Sequence, residues 1–180
     1  MRKICRVVPV IAELDYEQVS DNVIKISLGE LDKKQGQSLL VEMILTPRPE
    51  GKFRLSQAEF AFDIPGENVF QEKVREDIVV DFSADQSHNK KINPKVMNIV
   101  ERVSAYDLQT RALSHAAGGD IPGATQKLKA AATRLLDLGE KELANAALEE
   151  AENLELEGAM SSAGTKKLRY ETRKLTQKLF

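Results

Sequence analysis

Apolar residues alternate with polar ones through the first half of the chain and recur at three- and four-residue steps through the second. Val8, Val10, Ala12, Leu14 and Tyr16 share one phase of a period of two, the pattern of a half-buried strand. Pro9 falls on the opposite phase and has no amide proton for a ladder, which suits an edge strand. Ile24, Ile26 and Leu28 form a second run ended by Gly29; Leu39, Val41, Met43 and Leu45 form a third ended by Pro47 and Pro49. The fourth run changes phase, from Phe53 and Leu55 to Ala58, Phe60, Phe62 and Ile64. One extra residue near Ser56 and Gln57, a β-bulge, accounts for the change. Pro65 to Asn68 reads as a turn, and Phe70, Val74, Ile78, Val80 and Phe82 as a fifth strand, with Glu72 and Glu76 on the same phase. These runs, joined by short Gly/Pro turns, predict an antiparallel β-sandwich or sheet over 1–85, with a small core and edges that need cover.

The polar, aperiodic stretch 86–92 reads as a linker, and 93–180 as a helical domain. Asn93 can cap a helix whose first position is Pro94, and Val96, Val100, Val103, Thr110 and Leu113 recur at three- and four-residue steps up to Gly118 and Gly119, with Ile99, Tyr106 and Leu108 widening the stripe. Asp120 can cap a second helix, with Leu128, Ala131 and Leu135 on its apolar face and Gly139 at its end. A third carries Leu143, Ala147, Ala151 and Leu154 and stops at Gly158; a last one follows Ser161 to Gly164. The expected class is therefore α+β, a β-sandwich or sheet followed by a bundle of about four helices. Gly119, Ala124, Leu128 and Ala131 are echoed 20 residues on by Gly139, Ala144, Leu148 and Ala151, which two amphipathic helices of equal length produce without a true repeat.

Charge changes this picture little. Lys and Arg total 26 against 28 Asp and Glu, so bulk attraction to nucleic acid is excluded. The single cysteine, Cys5, excludes an intrachain disulfide and a Cys-rich zinc site. No apolar run is long enough to cross a bilayer and no signal-peptide pattern opens the chain, so a cytoplasmic location is expected.

Candidate chemistry is sparse. His88 and His115 are the two histidines, and neither lies beside a serine elbow or near Cys5 in sequence; both read as ordinary exposed or half-buried histidines. Asp81, Ser83 and Asp85 alternate as oxygen ligands could, but lack the glycine and distal glutamate of a calcium loop. Gly118 to Gly123 opens a helix with an aspartate that would repel phosphate. The reading is no enzyme, no cofactor and no metal. Local charge is more telling: the third helix is rich in glutamate, whereas Lys166, Lys167, Arg169, Arg173, Lys174 and Lys178 make the last one basic. The two could simply face each other with complementary charge. The basic residues are the candidate partner-binding patch, and nucleic acid or an anionic surface is the alternative function.

The stretches Ile92 to Val103, Leu108 to Leu113, Gly123 to Leu128, Ala131 to Gly139 and Gly164 to Thr176 resemble a C-terminal region of bacterial von Willebrand factor type A (VWA) domain proteins, often labelled chloride-channel-like. Gly51 to Leu55 and Asp77 to Phe82 are similar to the β region that follows the VWA domain there. The resemblance implies a piece of a longer protein. That family's metal motif, D-x-S-x-S, does not occur in this sequence, so no metal role is carried over. The expected function is a non-catalytic protein-interaction or scaffold module. Its expected partners are a VWA domain in cis, another protein, or a second copy joined through an open sheet edge.

Overall fold

A computed structural model describes residues 3–8, 11–32, 34, 36–85 and 92–174. Among them the strands β1 (Lys3–Val8), β2 (Ala12–Glu13), β3 (Glu17–Ser20), β4 (Val23–Lys25), β5 (Ser38–Glu42), β6 (Gly51–Ile64) and β7 (Val69–Phe82) precede the helices α1 (Pro94–Ala117), α2 (Ile121–Asp137), α3 (Lys141–Glu157) and α4 (Ser162–Lys174). The α+β class expected from the periodicity is the one observed. The strands form three separate antiparallel sheets among the described residues, in the orders β2-β1-β5, β3-β4 and β6-β7. The chain groups into two compact units, 1–44 with 93–180, and 45–92. This grouping differs from the sequence-order division at 85 and 93, because the first strands pack with the helices. Of the expected linker 86–92, all but Ile92 lies outside the described residues.

In the larger unit, β1 begins earlier than the alternation suggested. Ile4, Cys5 and Val7 are all buried, and the ladder to β5 shifts register between Arg6 and Val8. Consecutive buried residues and an irregular register erase the period of two, which is why Val8 to Tyr16 looked like the strand instead. Cys5, Val7 and Ile11 pack with Val103 of α1, and Leu40, Ile99 and Tyr106 close over them. The Lys3 ammonium bonds the Asp107 carboxylate of α1 across the same junction. Burial alone would lower the Lys3 pKa, but the hydrogen bond and charge of Asp107 outweigh it and hold it above the ordinary value.

Helices α1 and α2 start and stop where the capping residues predict. Asn93 Oδ1 accepts from Lys95 N at 3.0 Å, and Asp120 Oδ1 accepts from Gly123 N at 3.0 Å. Gly119 and Gly139 adopt φ of +79° and +77°, and the backbone bonds around the two turns correspond: Asp120 N to His115 O, and Glu140 N to Leu135 O. The 20-residue echo therefore reflects a repeated turn. It extends to packing in part: Ala124 and Ala131 are buried like Ala144 and Ala151, whereas Leu128 is buried and Leu148 exposed. Small residues let the helices approach closely. Ala105, Ala112, Ala124, Ala144 and Ala151 are fully buried around Leu128, Leu135, Leu154 and Leu168.

The smaller unit is a long hairpin. Its register shifts between Arg54 and Ser56, one residue before the expected bulge, and again between Phe62 and Ile64. At the second irregularity Gln71 has φ of +56° and its amide donates to Asp63 Oδ1 at 2.7 Å. The turn is a single 3-10 turn, Pro65–Glu67, closed by Asn68 in the left-handed region.

Candidate partner-binding surfaces

Pairing register divides the hairpin of β6 and β7 into two faces of opposite character. On one, Lys52 faces Asp81, Gln57 faces Asp77, and Glu59 faces Arg75. Glu59 also accepts from Lys73 at 2.9 Å and Arg75 at 2.7 Å, and these bonds hold its carboxyl below the ordinary carboxylate range. On the other face Phe53 pairs with Val80, Ser56 with Ile78, Ala58 with Glu76, Phe60 with Val74, Phe62 with Glu72 and Ile64 with Val69, so this face is mostly apolar and carries two glutamates. Phe53 and Phe82 meet edge to face at 5.6 Å, but Phe60, Val74 and Ile78 are exposed. No described residue of 45–92 is fully buried. An apolar face without a core beneath it is unusual for a surface exposed to water.

The second surface lies in the larger unit, along α1 and α4. How α4 is held there was not legible in the sequence. Ser161 caps the helix, its Oγ accepting from Gly164 N at 2.9 Å. A capping box would then place Glu or Gln at the position of Gly164. Here Glu150 of α3 does that work from outside the helix. Only 4% exposed, its carboxylate accepts from Ser161 N at 2.7 Å and from Ser161 Oγ at 2.6 Å. Gly164 leaves the space, since a Cβ there would overlap the Glu150 carboxylate. Glu150 belongs to the glutamate-rich third helix, yet it is buried at the start of α4 and does not face the flank of that helix. Helix α4 also begins at Ser162, so Gly164 lies within its first turn and does not end the loop.

With α4 seated by Glu150 and by buried Leu168, it borders a half-open groove of about 650 Å³ against α1. Leu113 and Leu168 contribute apolar wall, and Gln109, Thr110 and Ser114 of α1 contribute polar positions. Lys166 and Arg169 stand at its α4 side, beside Tyr170. Lys167 is exposed but does not line the groove. Arg173 and Lys174 lie on α4 with side chains outside the described residues, and Lys178 lies beyond them. Among the described residues Lys166, Lys167 and Arg169 form no ion pair with α3; its Glu155 pairs instead with Lys129 of α2 at 2.6 Å. No described carboxylate lines the groove.

The other described candidates engage neighbouring groups. His115 Nδ1 lies 2.7 Å from Asp120 Oδ2, joining the end of α1 to the cap of α2. The Gly123 amide first, then His115, holds the Asp120 carboxyl below its ordinary value. Cys5 is buried, and desolvation raises its thiol pKa, which favours the protonated thiol over the thiolate. Ser83 Oγ accepts from Asp85 N at 3.1 Å in a turn after β7, and among the described residues no cluster of three acidic, histidine or cysteine side chains could hold a metal. His88 lies outside the described residues. Among the described residues no helix is long and apolar enough to cross a membrane.

Residues 94–178 match the family described as Sll0103-like, C-terminal alpha-helical domain. The fold is similar to that of a solved chain titled von Willebrand factor type A from Catenulispora acidiphila, with a TM-score of 0.53 and 13% identity. The match covers 83% of this chain and 35% of that one. No curated protein matches the sequence.

Proposed function

We propose that this chain is a non-catalytic protein-interaction module, the C-terminal part of a larger protein that carries a VWA domain. The observation that carries the reading is the apolar face of the β6–β7 ribbon. A two-stranded hairpin alone is marginal in water, and one that exposes Phe60, Val74 and Ile78 gains by being covered. The occupant we assign is the VWA domain of the same protein. The limited span of the match, 35% of the similar solved chain, supports such a longer protein. The non-catalytic reading is supported by the engagement of His115 with Asp120 and the burial of Cys5.

Hydrogen–deuterium exchange tests this on the protein purified from its source cells, compared with the 180-residue chain. The amides of 51–82 should exchange more slowly in the longer protein. Equal exchange would remove the ribbon as a seat for the VWA domain. An immunoblot band at 20.0 kDa would remove the longer protein itself. A band larger by roughly 100–200 residues is expected.

A further inference from the structure

We propose that the groove between α1 and α4 binds an acidic amphipathic peptide segment of a partner protein. Three observations meet there. The groove has apolar lining from Leu113, Ala117 and the Tyr106 ring over the buried Leu168, which accepts an apolar anchor. Among the described residues its charged members are Lys166 and Arg169, both cations, and no described carboxylate lines it. Neither cation has an ion-pair partner among the described residues, so a carboxylate placed beside them breaks no existing pair. Gln109, Thr110 and Ser114 add polar positions along α1 that suit a peptide's polar groups. A nucleic acid would use the cations but leave the apolar wall uncovered, and Tyr170 is the one aromatic on α4 for stacking. An acidic peptide with leucine or phenylalanine at four-residue spacing covers both. This groove lies in the larger unit and does not depend on the ribbon or on a VWA domain.

The test uses the full chain and a fluorescein-labelled acidic peptide of about four helical turns, with leucine at i and i+4 and glutamate between. Its counterpart carries lysine for each glutamate. Fluorescence anisotropy should show saturable binding of the acidic peptide, at least about tenfold tighter than the basic one. Raising salt from about 50 to about 300 mM should weaken it. The double reversal Lys166→Glu with Arg169→Glu should weaken it about tenfold or more, and Thr110→Trp, which fills the groove from an exposed position, should do the same. Circular dichroism establishes that both variants keep the helical fold. Phe60→Ser on the ribbon should leave peptide binding unchanged, which separates this site from the other surface. Equal binding of the two peptides, or no effect of either groove variant, overturns the proposal. So does tighter binding of duplex DNA, or of phosphatidylglycerol vesicles, that the acidic peptide fails to displace.

Discussion

Replacing Gly164 by alanine should destabilise the helical unit, against the ordinary trend for a glycine in a helix. Alanine is favoured over glycine in a helix by about 1 kcal/mol, so the local expectation is a gain. The structure reverses the sign. The added Cβ overlaps the Glu150 carboxylate, the far end of a flexible side chain that could ordinarily swing aside. Here it is 4% exposed and bonded to Ser161 N at 2.7 Å and Ser161 Oγ at 2.6 Å. Moving it loses at least one hydrogen bond to a charged group, about 1.5–3 kcal/mol. Less the alanine gain, the net loss is about 0.5–2 kcal/mol, a fall in Tm of a few degrees for a chain of this size. Thermal melts followed by far-ultraviolet circular dichroism read it directly. The decisive comparison is Gly164→Ala in the Glu150→Ala background, where the overlapping carboxylate is gone and alanine should stabilise by about 1 kcal/mol. If Gly164→Ala raises the Tm of the otherwise native chain, or acts alike in both backgrounds, Glu150 does not seat α4 and the reasoning fails.

Three further outcomes follow from the same geometry. Asp120 has a lowered folded pKa, so its stabilising effect is present above the ordinary carboxylate value of 3.8 and fades as pH falls through the folded value; the Tm difference between native chain and Asp120→Ala should shrink between neutral pH and about pH 3, and a constant difference would remove the charged cap. Cys5, 2% exposed and with a raised thiol pKa, should react with a disulfide reagent in denaturant but only slowly in the folded chain at neutral pH; rapid native labelling would contradict its burial. Leu135→Ala, at a fully buried site of the helical core, should cost about 2–5 kcal/mol in urea unfolding, and a loss below about 1 kcal/mol would mean that α2 does not pack as described.

Which features were legible in the sequence follows from the range of the interactions that make them. Helix boundaries depend on one or two neighbouring residues, and Asn93, Asp120, Gly119 and Gly139 announced them. The phase change in β6 announced its bulge to within a residue, because a slip of one position moves every later side chain to the other face. Strand β1 was misplaced because Ile4 and Cys5 are both buried. Such burial depends on what covers each face, and that is set by segments distant in sequence: Val103 and Ile99 of α1 reach β1 from about a hundred positions away.

The site shows the same limit more sharply. The basic character of α4 was visible as a run of Lys and Arg, but its charge pairing with α3 was a guess from composition. In the structure Glu150 of α3 does serve α4, at the helix end instead of along its side. A carboxylate at a helix N-terminus meets unsatisfied amides and the positive end of the macrodipole. An exposed pair along the flank would contribute roughly 0–1 kcal/mol. Burial at the end is therefore the stronger use of that glutamate, and it leaves Lys166 and Arg169 unspent on α3. The fold thus uses an acidic residue to seat α4 while its basic residues remain beside an apolar groove. That separation of structural from available charge is what makes the α1–α4 groove, and not the basic run as a whole, the surface to test.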